Sequence, residues 1–248
     1  MKKQIKIKFL GTGANGGIPQ IDCRCVNCSS LVNTRKRSSL LVEINGRKII
    51  VDAGPDLHSQ LIENNLRLQD ISGIIISHLH WDHSAGLVEL SSGKALGIPI
   101  FVHSKLKKSL KQNNALSFIF KRGWAKFSPI KGVNVKFIEI DHDPNFTTFA
   151  ISLSNDNKKI LIATDIRKIN RKFSREAKKA DLVIFDATFL TKSKHWHISI
   201  QESAALLRQL NENVIFTHIN HSENKSDVEN FLKGFGFRLA FDGLEIKI

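Results

Sequence analysis

The chain of 248 residues has no tyrosine and only three cysteines. The missing tyrosine accompanies abundant Lys, Asn and Ile and reads as low-GC codon usage. The formal net charge of +14 is therefore a weak pointer to any one partner. It favours anionic ligands by long-range attraction, which leaves both small phosphoesters and RNA open. All three cysteines fall in Cys23-Arg24-Cys25-Val26-Asn27-Cys28. An odd number, so closely spaced and without a secretion signal, argues against a disulfide framework. C-x-C-x-x-C is a metal-type spacing that lacks its fourth ligand locally, and it points to a structural Zn2+. Long apolar runs are also missing, so no membrane span is expected. The opening Met1 to Lys8 alternates charged and apolar residues, which suits a first strand and not a signal peptide. A cytoplasmic location is the expectation. No repeat, linker or low-complexity segment is evident. At 42% hydrophobic and 24% charged, the chain is expected to pack a core as a single domain over residues 1–248.

What is present centres on Ser77-His78-Leu79-His80-Trp81-Asp82-His83. The stretch follows the apolar run Ile74-Ile75-Ile76 and precedes a helical-looking Ser84 to Leu90. Three imidazoles and a carboxylate on one short turn need partners if they are buried. A divalent cation is the most economical one, since imidazole nitrogen and carboxylate oxygen are its usual ligands. Past a strand the backbone is still extended, so His78 and His80 point the same way. Asp82 and His83 lie beyond the bend and can serve a second ion.

Along the chain, Ile5 to Leu10 reads as a strand, followed by Gly11-Thr12-Gly13-Ala14-Asn15-Gly16-Gly17. No helix signal follows, so a dinucleotide fingerprint is not supported, and the glycines are expected to let a loop approach the site. Ser38 to Ile44 and Arg47 to Val51 form a hairpin on Asn45-Gly46. Pro55 to Leu66 reads as a helix with Leu57, Leu61 and Ile62 on one face. The Lys-rich stretch Lys105 to Lys131 reads as a basic-faced helix and loop with its aromatics buried, the alternative being an RNA-binding surface with stacking aromatics. A second hairpin joins Thr147 to Leu153 with Lys158 to Ala163. Ser199-Ile200-Gln201-Glu202 is a capping box that opens a helix to about Leu210. The last strands are Phe237 to Phe241 and Leu244 to Ile248.

One pattern recurs. His78, His142, Asp165, Asp186 and His218 each follow an expected strand. Strand ends along one edge of stacked sheets converge on one point. The elements suit an α+β protein of two mixed sheets packed face to face with helices outside.

At His78-x-His80-x-Asp82-His83 the sequence resembles the metallo-β-lactamase superfamily of metallohydrolases. The resemblance implies its αββα sandwich fold. It also implies a dinuclear site: His78, His80 and His142 on one cation, Asp82, His83 and His218 on the other, and Asp165 bridging both. Asp52 matches the superfamily's hydrogen-bonding support behind the metal loop. The two divalent cations, Zn2+ or Mn2+, would share a hydroxide that serves as the nucleophile at neutral pH. His197 is the candidate general acid for the leaving alkoxide, oriented by Asp186 and preferred over His195 because it directly precedes the capped helix. Loss of Asp82 is expected to abolish turnover.

Cys23-x-Cys25-x-x-Cys28, Asp186-Ala-Thr, His197-Ile-Ser, Phe216-Thr-His-Ile-Asn-His221 and Phe241-Asp-Gly-Leu-Glu-Ile246 narrow the resemblance. They look like the branch holding PhnP-type phosphodiesterases and PqqB-type proteins of quinone-cofactor biosynthesis. That branch implies His221 as the fourth ligand of the structural zinc. It also implies hydrolysis of a small, cyclic phosphodiester. The rival readings are a ribonuclease Z-like endonuclease acting on tRNA 3′ ends, a PqqB-like oxidative role, and a non-catalytic metal scaffold. Sequence leaves the oligomeric state undecided, a homodimer being allowed.

Overall fold

The computed structural model describes residues 4–92, 97–192 and 196–248. Its strands are β1 (Lys6–Gly11), β2 (Ser39–Ile44), β3 (Arg47–Val51), β4 (Gly73–Ile75), β5 (Ile98–Phe101), β6 (Ala125–Phe127), β7 (Asn134–Ile140), β8 (Thr148–Ser154), β9 (Lys159–Ala163), β10 (Leu182–Asp186), β11 (Val214–Thr217), β12 (Arg238–Leu239) and β13 (Glu245–Lys247). They form a seven-stranded sheet, β13-β1-β2-β3-β4-β5-β6, and a six-stranded sheet, β12-β11-β10-β9-β8-β7. Both are mixed. β3 to β6 run parallel in the first and β9 to β12 in the second, with antiparallel pairs beyond them. The fold is thus α+β with two sheets, as expected.

Side-chain alternation decides which layer each residue joins. Ile151, Leu153, Ile160, Ile162, Leu182, Ile184 and Ile215 of the second sheet share one core with Ile7, Phe9, Val42 and Ile49 of the first. Their neighbours Ala150, Leu161, Val183, Phe185, Val214 and Phe216 face the other way. There they meet Phe173 and Ala177 of the helix Arg171–Ala177, Ile200, Ala204 and Leu207 of Ile200–Leu210, and Val228 and Leu232 of Lys225–Gly234. Central parallel strands covered on both faces read as continuous apolar runs, which is why Leu182 to Phe185 and Val214 to Phe216 show no polar alternation. Among the described residues no helix is long and apolar enough to cross a membrane.

Several local readings need correction. The helix expected over Pro55 to Leu66 spans Leu57–Glu63. Ile62 is 61% exposed, while Gln60 is buried and donates to the Arg37 carbonyl. At about 100° per residue Gln60 lies about 60° from Leu57, on the same side as Leu61, whereas Ile62 lies about 140° away, so the helix itself turns Gln60 inward and Ile62 outward. Ala85–Ser91 is a 3₁₀ helix that follows a one-turn helix, Trp81–Ser84. The basic stretch holds two helices, Ser104–Gln112 and Asn114–Lys121, and the edge strand β6. Its aromatics Phe118, Phe120, Trp124 and Phe127 pack partly buried on the core. The final strands are shorter than expected.

Parallel strands end on the same side of a sheet, and in open α/β sheets ligands gather there. Asp52 follows β3, Ser77 and His78 follow β4, and Ala14 and Asn15 follow β1. From the facing sheet come His142 after β7, Asp165 after β9, Asp186 ending β10 and His218 after β11.

Candidate metal centre

The loop after β4 is fastened to the end of β3. Asp52 adopts φ +63°, a left-handed backbone that Asp tolerates better than most residues. Its carboxylate accepts from Ser77 N and Ser77 Oγ at 2.8 Å each, and from His83 Nδ1 at 2.8 Å. The Ala53 amide donates to the His83 carbonyl at 2.8 Å. Here the glycines matter. A Cβ on Gly54 would lie 2.0 Å from the Asp82 carbonyl oxygen, and one on Gly86 1.9 Å from that of Gly54. The run Gly11 to Gly17 behaves differently from expectation. A Cβ on Gly11 would lie 2.1 Å from the Arg37 carbonyl, so that glycine admits the 35–37 segment, while Ala14 and Asn15 border the site.

Hydrogen bonds on the outer side of each ring fix which nitrogen faces inward. His142 Nδ1 meets the Trp196 carbonyl at 2.8 Å, an acceptor only, so Nδ1 carries the proton. His83 Nδ1 donates to Asp52, and His78 Nδ1 to Ser77 Oγ at 2.9 Å, that hydroxyl giving its own proton to Asp52. His218 Nδ1 donates to Thr188 Oγ1 at 2.9 Å, and Thr188 donates onward to Asp186 at 2.6 Å. Four imidazoles thus present a bare Nε2, the form that ligates a metal. His80 is reversed. Its Nε2 faces Asp143 at 3.3 Å and its Nδ1 faces inward.

The inward atoms form two adjoining sets. His78, His80, His142 and Asp165 offer ligand atoms within 4.8 Å of one another, and so do Asp82, His83 and His218. His80 Nδ1 is 3.0 Å from His78 Nε2 and 3.4 Å from His142 Nε2. Tetrahedral bonds of the usual zinc–nitrogen length separate two nitrogens by about 3.3 Å. Asp165 lies between the sets, 3.2 Å from His83 Nε2, 3.4 Å from His218 Nε2 and 3.7 Å from His142 Nε2. Among the described residues, five buried side-chain polar atoms lack a hydrogen bond, and three are here: His83 Nε2, Asp165 Oδ2 and His218 Nε2. Atoms so close that still do not bond to each other are aimed at shared points, and the donor set fits divalent cations. Burial opposes the charge on Asp82 and Asp165, yet the surrounding imidazoles hold both carboxyls well below the usual range.

His197 stands at the edge of these sets. Its Nδ1 is 2.6 Å from Asp186 Oδ2 and 3.0 Å from Thr188 Oγ1. Burial disfavours its charged form, but the Asp186 carboxylate overrides this and pushes the imidazole up to about 8. His195 lies outside the described residues.

The cysteine cluster is separate. Cys23, Cys25 and Cys28 place Sγ at 3.4, 3.6 and 3.5 Å from His221 Nδ1. A tetrahedral zinc with ordinary bond lengths would separate sulfur from nitrogen by about 3.6 Å. His221 draws the Cys25 thiol down to about 6, whereas burial pushes that of Cys28 up to about 11.

The family model described as the beta-lactamase superfamily domain matches residues 47–219. The chain belongs to this superfamily. Among curated relatives, coenzyme PQQ synthesis protein B of Rhizobium meliloti (strain 1021) is 21% identical, the match covering 98% of each chain. The namesake from Klebsiella pneumoniae (strain 342) is 37% identical, but the match covers 35% of this chain and 33% of that protein. Among solved structures, a diphosphatase from the PhnP family has a TM-score of 0.84 at 22% identity, over 99% of this chain and 97% of that one. Zn2+-bound PqqB from Methylobacterium extorquens also scores 0.84 at 22% identity, over 97% and 99%. Human tRNase Z, short form, scores 0.68 at 21% identity, over 97% and 98%. At these identities the likeness is one of fold.

Within the superfamily fold, the side chains expected at the site from sequence come together, His195 apart. Two contributors carry roles that the sequence reading does not assign, although Thr188 stands in the Asp186-Ala-Thr motif. Thr188 joins Asp186, His197 and His218 through one hydroxyl, and Asp143 backs His80. Both lie within two residues of a residue already singled out, and that proximity was the available signal.

Proposed function

We propose that the chain is a metal-dependent phosphodiesterase acting on a small phosphodiester. The observation that carries this reading is the pair of donor sets joined through Asp165, with four of the five imidazoles fixed by an outer hydrogen bond so that Nε2 faces in. His78, His80 and His142 would hold one Zn2+ or Mn2+, Asp82, His83 and His218 the other, with Asp165 shared. Cations bound there would supply a water of lowered pKa and offset the charge on phosphoryl oxygen. Asp52 and Thr188 keep the ligand rings in place from outside. His197, its Nδ1–H held by Asp186, keeps Nε2 for delivering a proton to the leaving oxygen. Cys23, Cys25, Cys28 and His221 would hold a structural Zn2+ that contributes to folding.

Metal analysis of the purified chain followed by assay on cyclic diesters, linear diesters and tRNA precursors tests this. Three ions per chain and turnover of small diesters are expected, with turnover abolished in Asp82→Ala. Inertness toward every diester in the metal-replete protein would end the reading. A role in coenzyme PQQ synthesis is the second reading, supported by the full-length likeness to proteins of that name. Bound iron and oxygen consumption would favour it.

A further inference from the structure

Within the donor set Asp82, His83 and His218, Asp82 is braced differently from the two rings. His83 and His218 are each turned by a hydrogen bond on the outer side of the imidazole, to Asp52 and to Thr188. Among the described residues nothing outside the centre donates to the Asp82 carboxylate. Its polar neighbours are His83 Nε2 and His218 Nε2, at 3.2 and 3.7 Å. Its direction is therefore set by its own backbone, which is held from two sides. The Asp82 carbonyl abuts Gly54, where a Cβ would come within 2.0 Å. The preceding residue, Trp81, lies against the Arg37 guanidinium, with 5.4 Å from Cζ to the ring centre.

Arg37 joins three segments. Its Nη1 spans both oxygens of Asp56 at 3.0 and 3.3 Å, and its backbone amide donates to the same carboxylate at 2.7 Å. Its Nε donates to the Asn15 carbonyl at 3.1 Å. Asn15 and Trp81 border the same cavity. The Arg37 side chain is 20% exposed and that of Asp56 19%, so the pair is largely shielded from water. A planar guanidinium can hold a carboxylate on one edge, donate to a carbonyl from another and stack a ring on its face, which an ammonium group cannot do at once.

We propose that Arg37 is a positioning residue for Asp82. By tying the Asn15 loop and the Trp81 ring to Asp56, it fixes the one-turn helix Trp81–Ser84, and with it the cation that Asp82, His83 and His218 would hold. The other donor set is held elsewhere, His78 by Ser77, His80 by Asp143 and His142 by the Trp196 carbonyl. Loss of Arg37 therefore acts on one of the two cations and spares the other. This rests on the two-cation reading above.

The test counts Mn2+ bound to the full chain after a chelator has stripped the active site, reading free Mn2+ by its electron paramagnetic resonance signal. Mn2+ is the probe because thiolate sites disfavour it. The wild-type chain should bind two Mn2+, and Asp82→Ala should lose one. Arg37→Lys should keep the ion that Asp82→Ala keeps and bind the other about 10-fold or more weakly. Trp81→Leu, which leaves the Arg37–Asp56 pair in place, should weaken that same ion. Both changes remove one contact, so the double variant should lose less than the sum of the two. Wild-type affinity for both ions in Arg37→Lys, equal weakening of both, or additive losses would each overturn the proposal while leaving the two-cation reading intact. A wild-type chain with no ion that Asp82→Ala removes would end that reading, and the proposal with it.

Discussion

Thr188 Oγ1 accepts the Nδ1–H of His218 at 2.9 Å while giving its own proton to Asp186 at 2.6 Å. One hydroxyl thereby orients a candidate ligand ring and steadies the carboxylate that holds His197. Thr188→Val keeps the shape and removes both bonds. It should weaken metal retention or turnover about 10- to 100-fold, the range for such outer contacts. Chelator competition and kcat/KM measure this, and wild-type values for both would mean the hydroxyl has no positioning role.

His197→Ala should discriminate between leaving groups. An alkoxide needs a proton as it departs, whereas a nitrophenolate does not. The loss should reach about 10²- to 10⁴-fold on alkyl diesters and be much smaller on nitrophenyl diesters. Equal losses on both would assign His197 to metal binding instead, since its ligand atom lies within 4.8 Å of those of Asp165 and His218.

Cys28→Ser should cost one zinc per chain and lower Tm, because metal affinity in such sites is folding free energy. The buried Cys28 Sγ also accepts the Gln20 amide, so the N-terminal loop should loosen with it. A variant that keeps its full metal content and Tm would remove the structural site from consideration.

Glu176 gives a pH dependence remote from the metals. Its carboxylate accepts from Lys136 Nζ, and that bond holds it below the usual carboxylate range. A native pKa below the unfolded one stabilises the fold above the ordinary value of 4.5, and the gain is lost as pH falls through the lowered value. Lys136 is 55% exposed, so screening limits the contribution to about 1 kcal/mol or less. Glu176→Gln should therefore lower Tm by up to about 2–4 °C at neutral pH. The difference should shrink as the solution is acidified below 4.5.

Much of the centre was legible because its chemistry is local in sequence. His78 to His83 share one turn, and His142, Asp165 and His218 after β7, β9 and β11, with Asp186 ending β10, declare themselves by closing apolar runs. The hairpin at Asn45-Gly46 was legible too, and both residues adopt positive φ. What escaped depends on contacts between distant segments. Gly54 and Gly86 matter only because two loops meet backbone to backbone. Gln60 and not Ile62 shares the buried face with Leu57 and Leu61, as the helical repeat of about 3.6 residues requires; what the repeat cannot report is the polar partner of Gln60, the Arg37 carbonyl on a distant segment. β6 exists because an edge of the first sheet was available beside β5.

His218 and His221 are mechanically coupled. Ile219 between them is tied by backbone bonds to Thr12 and Ala14, so both rings hang from one short braced peptide. A mercurial or a peroxide that never enters the substrate cavity would act on the thiols, slacken that peptide and so disturb His218. Poisoning of the enzyme by such reagents would then be felt at a distance, with no cysteine in the chemistry at all.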